Sequence, residues 1–296
     1  MRLRRSIHWA KGFRIETIEK AVLSECDAVC IDLEDGVPST RKAEARITTV
    51  QALQSLDFCG KERIVRVNAI GSDDFYKDIA EVIAIATPDA IRVPKCESVA
   101  DMQIIDGLLN QIVQSKSLAP NSIEVIAMIE SPIGIRNAYD IACSCERVTA
   151  LNVGMEDLTR EMGVVRRYED NALDLLYARQ KMVLDAKAAK VQAIDSCLLI
   201  ADAGSSRRQN EEARQAGFDG RSVRDAVEAA DANRTFSPSD ELVRFSAGVV
   251  KAYEAGDTNE NGNIIFEGKS ICYAAYEKAL DVLKFSKQIA VAEYRI

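Results

Sequence analysis

By type and position, the acids at 130 and 157 are the residues best suited to chemistry in this chain. Glu130 follows the apolar run 123–129 (IEVIAMI), and Asp157, preceded by Glu156, follows the apolar run 148–153 (VTALNV). Each run is bounded by turn residues and followed by a helical pattern, so each reads as a buried strand. In a parallel α/β barrel the carboxyl ends of the strands converge on one face, where active sites are built. Two carboxylates meeting there leave room around a cation for water and substrate, which suits Mg²⁺. The plainer reading is that each acid opens a helix and is stabilised by the helix dipole. Glu156 reads as a hydrogen-bonding residue rather than a metal ligand.

Charged residues at other strand ends extend the set. Arg66 ends the run VRVNA, Lys95 lies in RVPKCES, and Asp32, Glu34 and Asp35 fall in CIDLEDG. An arginine facing into a barrel needs a counter-charge. Arg66 therefore either makes a structural salt bridge to Asp32 or Glu34, or grips a substrate carboxylate or enolate oxygen with its planar fork. Asp32 and Glu34 join Arg66 in the candidate catalytic set by holding Arg66, Lys95 and metal-bound water in place. Lys95 is a candidate partner for a substrate carboxylate. His8 is the only histidine, which excludes a His-pair metal site. It lines the pocket or is a satisfied structural histidine.

The elements that must position these residues alternate regularly. Strands are expected at 6–10, 28–33, 63–67, 90–93, 123–129, 148–153, 193–197 and 218–223. Helices are expected at 13–24, 40–56, 73–86, 98–115, 171–189 and 206–216, besides those that follow strands five and six. Ser98 with Asp101 three residues on is a capping-box signature, and Ser72 or Asp73 is a candidate N-cap. Near-continuous apolar strands such as AVCIDL suit a parallel sheet covered on both faces. Eight alternations predict an α/β fold, a (β/α)8 TIM barrel over 1–235, rather than an open doubly wound sheet. No GxGxxG follows a strand, which argues against dinucleotide binding. Residues 236–296 read as a C-terminal helical extension: an amphipathic helix, a polar loop with a short strand (DTNENGNIIFEG), and a final helix over 270–290.

Composition limits the partners. A net charge of -8 and a pI near 5.0, with basic residues scattered, argue against a nucleic-acid binder. No apolar run is long enough to span a membrane, and MRLRRSIHWAKGFR lacks the apolar segment of a signal peptide. The eight cysteines form no CxxC pair, so reduced thiols and a cytoplasmic location are expected.

The segments MIESPIGI and NVGMEDLTREMG, with CIDLEDGVP at 30–38 and RVNAIGSDDF at 66–75, resemble the citrate lyase beta-subunit branch of the HpcH/HpaI aldolase family. The resemblance runs in order over roughly residues 1–285. It implies a Mg²⁺-dependent carbon–carbon lyase with Glu130 and Asp157 as metal ligands. It also implies Arg66, Lys95, Gly154, Met155 and Glu156 as substrate-binding positions, a 2-oxo acid and a CoA thioester as ligands, and a homotrimer or hexamer joined through 236–296. An aldolase acting on free hydroxy-oxo acids, a thioester hydrolase and a non-catalytic ligand-binding paralogue are the rival readings. Two departures stand out. Where relatives have GK and HPxQ after strand eight, this chain has GRSVRDAVEAA at 220–230, with Arg221 in place of the lysine. Where relatives carry an acid that enters the neighbouring subunit's site, this chain has Cys272, and a thiol of ordinary pKa is no equivalent acid/base.

Overall fold

The computed structural model describes residues 2–166, 173–197, 203–256 and 262–293. The start of the helix expected from 171 and the first part of the polar loop, 257–261, lie outside these residues. Eight parallel strands close into a barrel in sequence order. They are β1 (Ser6–Lys11), β2 (Ala28–Asp32), β3 (Glu62–Arg66), β4 (Ala90–Val93), β5 (Glu124–Ile129), β6 (Val148–Val153), β7 (Gln192–Asp195) and β8 (Gly220–Val223). Closure is made by β1 pairing with β8, with Ile7 opposite Ser222.

Helices return the chain between strands: α1 (Ile15–Leu23), α2 (Lys42–Ser55), α3 (Asp73–Asp78), α4 (Ala84–Ala86), α5 (Val99–Ser115), α6 (Pro132–Ala142), α7 (Met155–Met162), α8 (Leu176–Ala188), α9 (Ala203–Ala216) and α10 (Ala226–Phe236). The helix expected over 73–86 is continuous but contains a π-helical stretch, Ile79–Ile83, between α3 and α4. The Ser98/Asp101 capping box is formed, and Ser72, rather than Asp73, caps α3 by accepting from Phe75 N–H. The strands hold two apolar layers. One fills the barrel with small or branched side chains from β1 to β7, among them Ile7, Ala28, Ile64, Ala90, Ile126 and Ile194. The other, larger layer packs the outer faces of the strands against the helices.

Strand alternation then decides where the charged residues face. Ile64 and Ala90 point into the barrel, so Arg66 and Arg92, two residues further on, do as well. His8 faces the other way. Its ring bridges Ser24 Oγ at 2.9 Å and the Arg224 carbonyl at 3.1 Å, and burial lowers its pKa, so it is a satisfied structural histidine.

The chain divides into two compact units, Met1–Phe236 and Ser237–Ile296. The second contains α11 (Asp240–Glu254), a hairpin of β9 (Ile264–Phe266) and β10 (Lys269–Ile271), and α12 (Tyr273–Glu293). The final helix therefore starts at Tyr273 and not at 270. Ser270 pairs with Ile265 across the hairpin, whose turn Glu267–Gly268 has both residues at positive φ. The hairpin seats Phe266 directly over Gly248 of α11, where any β-carbon would strike the ring at 2.2 Å.

Candidate active site

Arg66 is the hub of a polar cluster at the carboxyl ends of β2 to β6. Its Nε and Nη2 donate to the two oxygens of Asp32 at 2.6 and 2.8 Å, and Nη1 lies 2.7 Å from Glu34 Oε2. Its guanidinium carbon is 4.1 Å from the centroid of the Trp9 ring. Burial pulls the Arg66 pKa down, but Asp32 and Glu34 outweigh it and raise the pKa above its ordinary value. Two of the five guanidinium N–H donors are hydrogen-bonded to Asp32, while Nη1 is ion-paired with Glu34 without a hydrogen bond, so N–H donors on the Nη atoms remain for a ligand oxygen. The structural salt bridge and the substrate grip are thus compatible roles of one side chain.

Asp32 has a second function. It accepts from the backbone N–H of Glu34 at 2.9 Å and of Gly36 at 3.0 Å, folding the loop after β2 over the strand end. Glu34 is buried there and also accepts from Lys95 Nζ at 3.0 Å. Sequence reasoning missed the residue that braces this loop. Lys42 Nζ donates to the carbonyls of Leu33 and Glu34 and to Asn68 Oδ1, at 2.6, 2.8 and 2.6 Å. No pattern in the sequence marks a lysine that binds main-chain oxygens.

Lys95 has the left-handed φ of 54°. That turn sends its side chain back to Glu34 while its own N–H donates to Glu130 Oε1 at 2.8 Å. Burial lowers the Lys95 pKa, but Glu34, Asp35 and Asp157 raise it further, so the amine stays charged. A charged amine is a carboxylate partner and not a Schiff-base nucleophile. Asp35 is largely exposed, 3.9 Å from Lys95.

Glu130 stands at the rim because its strand stops abruptly. Ser131 caps α6 by accepting from Gly134 N–H at 3.0 Å, and Pro132 occupies the first helical turn. Gly154 N–H donates to the Ile129 carbonyl at 3.0 Å, bringing the end of β6 against Glu130. A β-carbon at Gly154 would lie 2.3 Å from Glu130 Oε2, so glycine is needed there for room. Asp157 follows in the first turn of α7, ion-paired with Arg160 at 2.7 Å.

The two acids differ electrostatically. Burial first, and then the negative charges of Glu34 and Asp157, push the Glu130 carboxyl up to about 7. An acid serving only a helix dipole would sit in water and ionise readily, whereas Glu130 is 4% exposed. The cluster is short of positive charge, a deficit that a divalent cation corrects. Among the described residues no group of three or more His, Cys, Asp or Glu side chains is arranged to hold a metal. Two protein carboxylates with remaining positions for water and ligand oxygens fit Mg²⁺, which keeps several waters.

Two other expected substrate-binding side chains do not join the cluster. Met155 is buried in the layer beneath the helices, its sulfur accepting from Arg166 Nη2 at 3.4 Å. Glu156 is exposed and lies 3.5 Å from Arg166 Nε. No side chain caps α7, whose first N–H groups begin at Met155. Arg221 lies on the outward alternation of β8 and donates to Asn210 Oδ1 and the Ser196 carbonyl at 2.7 and 2.8 Å. Cys272 is exposed in the second unit, just before α12.

A family profile described as HpcH/HpaI aldolase/citrate lyase matches residues 5–226. The chain belongs to the HpcH/HpaI aldolase/citrate lyase family. It is 30% identical over 295 residues to citrate lyase subunit beta of Escherichia coli (strain K12), covering 99% of this chain and 96% of that protein. It is 27% identical to the human mitochondrial citramalyl-CoA lyase, covering 97% and 86% of the two chains. Among solved structures, Mycobacterium tuberculosis CitE in complex with magnesium, acetoacetate and coenzyme A superposes with a TM-score of 0.76. The two are 25% identical, with 95% of this chain and 97% of that chain covered. Among the described residues of this family member, no helix is long and apolar enough to cross a membrane.

Proposed function

We propose that this protein is a Mg²⁺-dependent carbon–carbon lyase that cleaves a 3-hydroxyacyl thioester of the citryl, malyl or citramalyl type into a 2-oxo acid and an acyl-CoA. The observation that carries the reading is the buried Glu130 beside Asp157 and Arg66 at one rim of the barrel, in a chain similar over its whole length to lyases of this kind. Glu130 and Asp157 are the metal ligands in this reading. Bound there, Mg²⁺ would act as a Lewis acid toward the oxygens of the 2-oxo acid portion.

The chain's own residues do the rest. In the reaction the 3-hydroxyl loses its proton, the C2–C3 bond breaks, and C3 becomes the carbonyl of the 2-oxo acid. The electron pair passes to the thioester α-carbon, which is then protonated. Arg66, fixed by Asp32 and Glu34, presents its remaining Nη N–H donors to the oxygen on which charge develops, a preorganised electrostatic contribution. Lys95 supplies positive charge at the same rim, and the uncapped start of α7 offers backbone N–H groups to a carboxylate. Residues 237–296 form the contact of a homotrimer or hexamer, a proposal supported by the exposed apolar Ile265, Tyr273 and Val291. The eight unpaired cysteines suit a reducing, cytoplasmic setting.

The test is a panel of malyl-, citramalyl- and citryl-thioesters, run with Mg²⁺ and with excess chelator. Metal-dependent release of a 2-oxo acid from at least one of them is expected. Turnover of none, or turnover indifferent to the chelator, rejects the reading.

A further inference from the structure

One buried charge in the barrel has no part in the site as described. Arg92 lies on β4 in register with Arg66, its side chain inside the barrel and 0% exposed. Arg66 has two carboxylates; among the described residues Arg92 has none. Its one hydrogen bond runs across the barrel, from Nη1 to Ser222 Oγ on β8 at 3.0 Å. Its Nε and Nη2 are buried without an acceptor, and so is the indole Nε1 of Trp9. The Trp9 ring is near both arginines, with its centroid 4.1 Å from the Arg66 guanidinium carbon and 6.0 Å from that of Arg92.

The geometry of the unmatched donors is specific. Nε and Nη2 form the side edge of the guanidinium, the edge with which Arg66 grips both oxygens of Asp32. This edge presents two parallel N–H groups and matches a carboxylate. A buried cation without an anion is strongly unfavourable, so a fold that retains one has a use for it beyond stability. Water satisfies single donors. A fork of two N–H groups beside an indole N–H is a donor-only surface and calls for an anionic acceptor. Burial and the neighbouring Arg66 and Arg4 lower the Arg92 pKa, although nearby thiols oppose this, and an incoming carboxylate would relieve that unfavourable charge.

We propose that Arg92 is a specificity-determining residue that receives a second carboxylate, so that the site takes a dicarboxylic 2-oxo acid unit in preference to a monocarboxylic one. This rests on the lyase reading above and narrows its substrate class. One carboxylate with its adjacent oxo group is held at the Glu130–Asp157 rim beside Arg66. The second carboxylate lies deeper in the barrel, on Arg92 with Trp9 Nε1 alongside.

The experiment compares binding of freshly prepared oxaloacetate and of pyruvate to the Mg²⁺-loaded full-length protein by calorimetry, in the parent and in Arg92→Met and Arg92→Lys. The parent is expected to prefer oxaloacetate. Arg92→Met should weaken oxaloacetate about 10- to 100-fold, the range for a charge-assisted pair, and change pyruvate less than about 2-fold, with Arg92→Lys in between. Because Arg92→Met removes an unpaired buried charge, the ligand-free variant should also melt higher than the parent, which a structurally required arginine would not allow. An unchanged oxaloacetate-to-pyruvate ratio in folded Arg92→Met overturns the inference and leaves the lyase reading standing. So does a parent without preference, a result that needs no variant to fold. A parent that binds neither acid in the presence of Mg²⁺ overturns both.

Discussion

Replacing Glu130 with glutamine in the metal-free protein should stabilise the fold by an amount that grows with pH. The carboxyl is pushed up from 4.5 to about 7 by burial and by Glu34 and Asp157. Below 4.5 the side chain is protonated in both the folded and unfolded states and contributes no difference. Between 4.5 and about 7 the unfolded chain releases its proton while the folded chain keeps it, so the folded state binds more protons and stability falls as pH rises. Above about 7 the full penalty applies, about 3 kcal/mol for a shift of this size. The glutamine side chain of Glu130→Gln does not titrate, and its amide oxygen can still accept from Lys95 N–H, the bond that Glu130 Oε1 accepts at 2.8 Å. The assay is thermal or urea unfolding of chelator-treated parent and Glu130→Gln across pH 5 to 8.5, with the difference between the two read at each pH. The difference should be small at the acid end and reach about 3 kcal/mol at the alkaline end. Adding Mg²⁺ should then stabilise the parent by mass action and leave the variant unmoved. Curves that run parallel throughout would show that the buried carboxyl is not raised, and the case for a charge-deficient cation site would fail with it.

The same geometry makes three further predictions. Asp157→Asn should weaken Mg²⁺ at least 10-fold by calorimetric titration while changing the melting temperature of the metal-free protein little, since its partner Arg160 is exposed and such a pair is worth under about 1 kcal/mol; unchanged affinity removes Asp157 from the ligand set. Arg66→Lys keeps the charge but loses the fork to Asp32, so 2-oxo acid affinity should fall by about 1–3 kcal/mol; normal turnover in this variant would make Arg66 purely structural. Gly154→Ala places a β-carbon against Glu130 Oε2 and should reduce Mg²⁺ affinity more than it reduces stability; a variant that binds metal like the parent shows that the rim yields.

Much of the barrel was legible in the sequence because its strands are short apolar runs that stop at turn residues, and runs such as AVCID are covered on both faces. Elements without that contrast were missed or only half seen. The Ala-rich α10 has no strong boundary signal; the short strand in the polar loop was expected, but not its pairing with β10, because the hairpin turns on Glu267–Gly268, a pair less diagnostic than Asn-Gly or Asp-Gly. In the site, Glu130 and Asp157 could be found because strand ends in a parallel barrel share a face. The positions of Met155 and Glu156 could not, because one turn of α7 carries one side chain into the core and the other to the surface. Arg92 was silent for another reason. In AIRVP it looks like any strand residue, and only closure of the barrel brings it to Ser222 while leaving its side edge without an acid.

The central claim is that a carbon–carbon bond is cleaved with Mg²⁺ held by Glu130 and Asp157. Its most direct test is a product balance on the thioester that the parent turns over, counting 2-oxo acid, acyl-CoA and free thiol with Mg²⁺, with chelator, and in Asp157→Asn. The account predicts 2-oxo acid and acyl-CoA in equal amounts, no free thiol, and loss of both products with chelator or in the variant. Free thiol without 2-oxo acid would mean that the thioester bond is hydrolysed and would contradict the account.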